Sequence, residues 1–224
     1  MQVEIFDEIN KILIESDKPS IEIDKLMKSE EFKNSDFSII SKLKDIPQEK
    51  KFHPEGNVWN HTKMVIDVAA KIKGFSSDSR KFMWAALLHD IGKIPTTKFI
   101  KGRYRSYEHD IEGAKMAYEL LEMYEDIRFV EDIREIVRFH MHHIYILKNL
   151  PFSNITKLLD SKNFNDIILL FICDKLGRGN QEIHENRKSI KEVITILDIL
   201  EKESNKKYQD LRKNISEIEK IILS

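Results

Sequence analysis

The most restrictive feature of this chain is an apolar helical stripe that runs straight into ionisable residues. In WAALLHDIGK (Trp84–Lys93), the stripe of Phe82, Ala85 and Ala86 leads to His89, and that of Met83 and Leu87 leads to Asp90. A helix returns a residue to the same face after three, four or seven positions, so both side chains should point inward. Four further segments repeat the pattern. His61 shares a stripe with Val65, Val68 and Ile72; His109 with Gly113, Met116 and Leu120; His140 with Val130, Ile133 and Val137, leading on to Ile144; and Asp174 with Ile167, Leu170 and Phe171. Five helices thus turn imidazoles or carboxylates toward one interior.

A lone imidazole on an apolar face is ordinarily a core residue hydrogen-bonded to a carbonyl. An inward carboxylate is more demanding, because burying it without a partner costs on the order of several kcal/mol. The stripes hold no inward Lys or Arg opposite Asp90 and Asp174, but they do hold four His, which bind divalent cations as neutral imidazoles. A metal ion resolves the conflict. With Cys173 the only cysteine, a Cys-rich structural zinc is excluded. Mixed His and carboxylate ligands suit Mn, Fe, Co, Ni or Mg, with positions left open for water and substrate.

The rest of the chain agrees with a helical reading. Only 7 Gly and 5 Pro occur, which favours an all-α bundle over a turn-rich β architecture. A single domain over 1–224 is expected: a core at about 50–180, a helical lead-in at 1–50 and C-terminal helices at 181–224. The lead-in holds two amphipathic segments, VEIFDEINKILIES and FSIISKLKDI, and the C-terminal part keeps an apolar period through Ile190, Val193, Ile194, Leu197 and Leu200. One core helix is expected between Asn57 and Gly74, with Gly74 as its C-cap, and the next from Ser77 or Asp78 to Gly92. With 37 basic and 38 acidic side chains, no global field marks nucleic acid or membrane as partner, so an anionic ligand must be recognised locally. No intramolecular disulfide can form, no secretory leader is evident, and no apolar run approaches the roughly 20 residues of a membrane span. A cytoplasmic protein with no membrane partner is expected.

The order His61, His89-Asp90, Asp174 resembles the four-ligand signature of the HD phosphohydrolase superfamily, whose core motif often reads HDIGK. Four blocks extend the likeness to the HD domains attached to tRNA nucleotidyltransferases (CCA-adding enzymes): HPEGNVWNHT (His53–Thr62), HDIGK (His89–Lys93), YEHDIEGA (Tyr107–Ala114) and CDKLGRG (Cys173–Gly179). The Gly-rich turn and paired aspartates of the nucleotidyltransferase head have no counterpart, so the expectation is the phosphohydrolase part alone, freestanding, in an HD-domain helical bundle. The resemblance implies that His61, His89, Asp90 and Asp174 bind a first divalent ion, with His109, His140 and a bridging Asp90 binding a second. It implies one or two ions among Mn, Ni, Co, Fe and Mg, and hydrolysis of a phosphomonoester or (2′,3′-cyclic) phosphodiester of a nucleotide-like substrate by metal-activated water. RNA remains open as a partner, as does a homo-oligomer through the C-terminal segment. A di-iron oxygenase of HD type and a non-catalytic nucleotide- or RNA-associated module are the alternative readings.

Other residues gain candidate roles from their places. Lys93, at i+3 from Asp90, can reach a phosphate oxygen or a solvated carboxylate. Arg178, between glycines, is either a phosphate fork or an exposed loop arginine. His53, in a loop at the mouth of the site, is a candidate proton donor to the leaving group. Asp110 either orients a ligand imidazole or lies on a solvated face. His142, His143 and His184 fall off the stripes and read as surface or packing residues, Cys173 reads as a buried small residue, and KGRYRSY (Lys101–Tyr107) reads as a hairpin or loop near the site.

Overall fold

The structure, a computed structural model, describes residues 2–179 and 182–223. The lead-in contains α1 (Gln2–Glu15), α2 (Pro19–Leu26), α3 (Glu30–Lys33) and a 3₁₀ segment (Asp36–Asp45). α1 buries Ile5, Phe6, Ile9, Ile12 and Leu13, a stripe of helical period. FSIISKLKDI winds as 3₁₀ rather than α because its buried residues Phe37, Ile40 and Leu43 recur every third position, the period of that tighter helix. α2, which the polar spacing around it conceals, starts on Pro19 at its first turn and is fastened by the Ser20 backbone N–H and hydroxyl donating to Asp67 (3.1 and 2.8 Å).

The core follows. α4 (Val58–Ile72) starts where the Asn57 side chain accepts from the Asn60 N–H at 2.8 Å. It ends at Ile72 in a 3₁₀ turn, so Gly74 is not a left-handed C-cap. α5 (Ser79–Leu88) is capped by Asp78, which accepts from Arg80 and Lys81. Every residue from Phe82 to Leu88 is buried, and the Trp84 ring stacks on Phe6 at 5.3 Å, joining lead-in to core. The helix stops at Leu88, not Gly92. His89–Gly92 forms a turn, with Ile91 and Lys93 N–H groups donating to Leu88 and Asp90 carbonyls at 3.0 Å, before the short α6 (Lys93–Thr96).

β1 (Thr97–Ile100) and β2 (Arg103–Ser106) pair antiparallel, Thr97 opposite Ser106, through the two-residue turn Lys101-Gly102, where both φ angles are positive. Beyond Glu108, in the left-handed region at φ 58°, α7 (His109–Leu121) packs along α8 (Ile127–Phe139). The chain continues through α9 (His142–Leu147) and α10 (Ile155–Leu159) to α11 (Phe164–Leu176), which is buried from Asp166 to Leu176. α12 (Ile183–Ser204) packs on α11, and Arg212 of α13 (Gln209–Leu223) donates to Glu201 and Asp198 of α12. The protein is all-α apart from the hairpin. No helix of the described residues is long and apolar enough to cross a membrane.

One crossing positions the site. A Cβ on Gly92 would lie 2.1 Å from the His109 carbonyl oxygen and 2.4 Å from the Gly113 nitrogen, so the turn after α5 touches the first turns of α7 backbone to backbone. Gly92→Ala should therefore destabilise the protein by about 1–3 kcal/mol or more, read as a lower midpoint in urea; an unchanged midpoint would mean that the crossing is not this tight.

Candidate metal centre

The ends of buried helices bring the inward residues together. His61 comes from α4, His89 and Asp90 from the turn after α5, His109 from the start of α7, His140 from the end of α8 and Asp174 from α11. All six are buried, none more than 5% exposed. His61, His89 and Asp90 form one group, and Asp90, His109 and His140 another, each with ligand atoms all within 4.8 Å.

Hydrogen bonding decides what these rings offer. Each Nδ1 donates to a main-chain carbonyl: His61 to Gly177 (2.9 Å), His89 to Ala86 (2.8 Å), His109 to Ser106 (2.7 Å) and His140 to Val137 (2.6 Å). A carbonyl only accepts, so Nδ1 carries a proton in each ring, and Nε2 offers a lone pair whenever the ring is neutral. The Nε2 atoms face carboxylate oxygens. His61 Nε2 is 3.1 Å from Asp174 Oδ1 and 3.8 Å from Asp90 Oδ2; His89 Nε2 is 3.3 Å from Asp90 Oδ2. His109 and His140 Nε2 lie 3.4 and 3.6 Å from Asp90 Oδ1 and 3.2 Å from each other. Atoms about 2.1 Å from a shared ion stand roughly 3.0 Å apart in an octahedron and 3.4 Å in a tetrahedron. The donor set and its spacing fit divalent cations, and among the described residues the buried Nε2 of His89 has no hydrogen-bond partner.

The charges agree. Burial would raise the Asp90 pKa, but Lys93, His89, His109 and His140 hold it well below the usual carboxylate range; His61, His143 and Arg178 do the same for Asp174. Burial alone would lower His61, yet the Asp174 and Glu55 carboxylates lift it to about 9. Lys93 is the buried cation that the stripes do not show: its ammonium donates to Asp90 Oδ2 (2.7 Å) and Gln48 Oε1 (2.8 Å), so it reaches a buried carboxylate rather than a solvated one.

Glu55 is a site residue that periodicity misses, because it lies in a loop. Its side chain is 1% exposed, and Oε1 stands 3.0 Å from His53 Nδ1 and 3.2 Å from His61 Nδ1. Oε2 accepts from the Gly179 N–H (3.2 Å). One carboxylate thus braces a central imidazole, the mouth of the site and the loop carrying Arg178, the arrangement by which outer acceptors orient metal-binding His. Its only sequence signal was its place in HPEGNVWNHT.

A cavity of about 760 Å³ opens over this floor, lined in part by His53, Lys93, Tyr104, Tyr107, Asp174 and Arg178. The hairpin thus stands at the site. The glycines beside Arg178 serve packing rather than ligand approach: a Cβ on Gly177 would meet the Val65 side chain at 2.4 Å and backbone nitrogen at 2.9 Å. Arg178 is half-buried, and among the described residues its Nε has no hydrogen-bond partner. Burial lowers the His53 pKa to about 4, so its ring is neutral at pH 7 and is no ready proton donor. Asp110 does not orient His109, whose Nδ1 is taken by Ser106; it is buried and accepts from Arg138. His142 is buried edge-on to Phe139 and Tyr145, whereas His184 is exposed beside Glu182. His143 is fully buried and faces Asp174; the break between α8 and α9 shifts the helical phase and hides it from the stripes. Cys173 is buried, which pushes its thiol pKa well up.

Among known proteins, residues 58–203 match the family described as "HD domain". Relatives include proteins named "Multifunctional CCA protein". That of Actinobacillus pleuropneumoniae serotype 5b (strain L20) is 28% identical over 156 residues, covering 66% of this chain and 38% of the relative. That of Neisseria gonorrhoeae (strain NCCP11945) is 32% identical over 150 residues, covering 64% and 35%. That of Pasteurella multocida (strain Pm70) is 27% identical over 154 residues, covering 65% and 36%. The chain spans little more than a third of the length of these curated relatives.

Two measurements probe the electrostatics. His61 has a folded pKa of about 9 against an ordinary 6.5, so in metal-free protein its stabilisation is complete below pH 6.5 and is lost as pH rises through 9. An incoming ion must displace that proton, so affinity for Mn or Co should rise with pH and level near 9, with proton release at pH 7 seen by calorimetry in buffers of different ionisation enthalpy. Glu55→Gln should weaken ion binding about 10- to 100-fold and move that pH dependence to lower pH; unchanged affinity would remove Glu55 from the centre.

Proposed function

The chain belongs to the HD-domain family, and on that premise we propose that it is a metal-dependent phosphohydrolase acting on a phosphomonoester or 2′,3′-cyclic phosphodiester of a nucleotide-like substrate. The observation that carries the reading is the convergence of imidazole lone pairs on two buried carboxylates at the floor of a cavity walled by Lys93 and Arg178. His61, His89, Asp90 and Asp174 would hold one divalent ion, and Asp90, His109 and His140 a second. Such ions acidify water and neutralise charge developing on phosphoryl oxygens.

The chain's own groups do the rest. Arg178 offers a planar fork to non-bridging phosphoryl oxygens. Lys93 holds Asp90 in place through the 2.7 Å contact and adds positive potential to the floor. His53, with Nδ1 engaged by Glu55, presents Nε2 as an acceptor for a substrate hydroxyl. Tyr104 and Tyr107, exposed on the hairpin at the cavity, offer aromatic faces to a base. A cavity wall that includes Lys93, Lys148, Lys175, Arg178 and Lys188 suits an anionic substrate better than the uncharged organic substrate of an oxygenase.

Elemental analysis followed by a phosphoester panel with Mn, Ni, Co and Mg tests this reading. Purified protein should carry divalent metal and hydrolyse bis(p-nitrophenyl) phosphate, its monoester or a 2′,3′-cyclic nucleotide. Asp90→Asn should lose ion binding and at least about 100-fold in turnover, roughly 2.7 kcal/mol of barrier, while remaining folded. Turnover that needs oxygen and iron, or wild-type turnover in Asp90→Asn, would overturn the proposal.

A further inference from the structure

Asp174 faces two ways. Its Oδ1 lies 3.1 Å from His61 Nε2, and its Oδ2 lies 3.5 Å from the Nε2 of His143, in the first turn of α9. The His143 ring is fully buried and packs on Phe171. Its Nδ1 donates to the His140 carbonyl at 2.7 Å, so the Nε2 facing Asp174 carries a lone pair. Among the described residues that atom has no hydrogen-bond partner. A lone pair and a carboxylate oxygen, both acceptors, thus confront each other in the interior, at a separation close to that of adjacent ligands on one cation. His143 lies outside the two groups built on Asp90, so this juxtaposition is a further position rather than part of either.

We infer that His143 is a seventh ligand of the centre, sharing with Asp174 Oδ2 a cation position that the six-residue set does not include. Asp174 would then bridge at one end of the centre as Asp90 would in its middle. The position takes a borderline divalent ion such as Co, Ni, Mn or Zn, since imidazole and carboxylate suit these ions. The inference rests on the metal-centre reading above.

Cobalt is the probe. Co-loaded wild-type protein should show five hyperfine-shifted, solvent-exchangeable Nδ1–H proton resonances, one for each imidazole bonded in this way to a carbonyl. His143→Gln should remove one of them and weaken the loosest-held ion at least about tenfold. His143→Cys, titrated with Co, should add a near-ultraviolet thiolate-to-cobalt band that the wild type, with its native Cys173, lacks. Four resonances in Co-loaded wild-type protein would by themselves overturn the inference while leaving the six-residue centre intact. Absence of shifted resonances altogether would overturn both. The wild-type spectrum needs no variant, so the result does not depend on how either substitution folds.

Discussion

Two carboxylates buried among imidazole lone pairs are the constraint on which the rest of this structure depends. Asp90 and Asp174 are 2% and 5% exposed, in surroundings where an unpaired negative charge is costly. Lys93 meets one oxygen of Asp90, and the Nε2 atoms of buried histidines face the other oxygens, His61 among them with its pKa lifted to about 9. The donor set fits a divalent cation, which would make such an interior tolerable.

The direction of those protons follows from where the rings sit. His89, His140 and His143 each donate Nδ1 to the carbonyl three residues earlier, at Ala86, Val137 and His140. Helix C-termini leave their last carbonyls without intrahelical partners, so His89 and His140, at the ends of α5 and α8, each satisfy a backbone acceptor and aim Nε2 away from it, and His143, in the first turn of α9, does the same toward the end of α8. His109 does the same toward Ser106 across the junction of β2 and α7. Caps, crossings and tautomers are therefore one arrangement: the Gly92 contact that sets α7 against the turn after α5 also sets His109 beside Asp90.

Much of this was legible along the chain. Helical period placed His61, His89, Asp90, His109, His140 and Asp174 on inward faces, and all six are buried. Reading failed where period is lost or reset. Phe37, Ile40 and Leu43 follow a three-residue period and wind as 3₁₀; Glu55 sits in a loop; His143 follows a helix break. Lys93 read as an ammonium reaching a phosphate oxygen or a solvated carboxylate, because a one-dimensional pattern cannot show that a lysine just past a helix end folds back onto buried Asp90.

The sequence by itself determined the helices that carry the site, the all-α class and the inward direction of the six ionisable residues, because each depends on local spacing and on the cost of exposing apolar surface. Tertiary structure alone decided which lone pair meets which carboxylate, that Glu55 ties His61 to the Arg178 loop, and that His143 reaches Asp174. The His61–Gly177 bond spans 116 residues and the Gly179–Glu55 bond 124. Contacts that distant exist only after the helices have packed, because packing, and no local preference, brings their ends within hydrogen-bonding range.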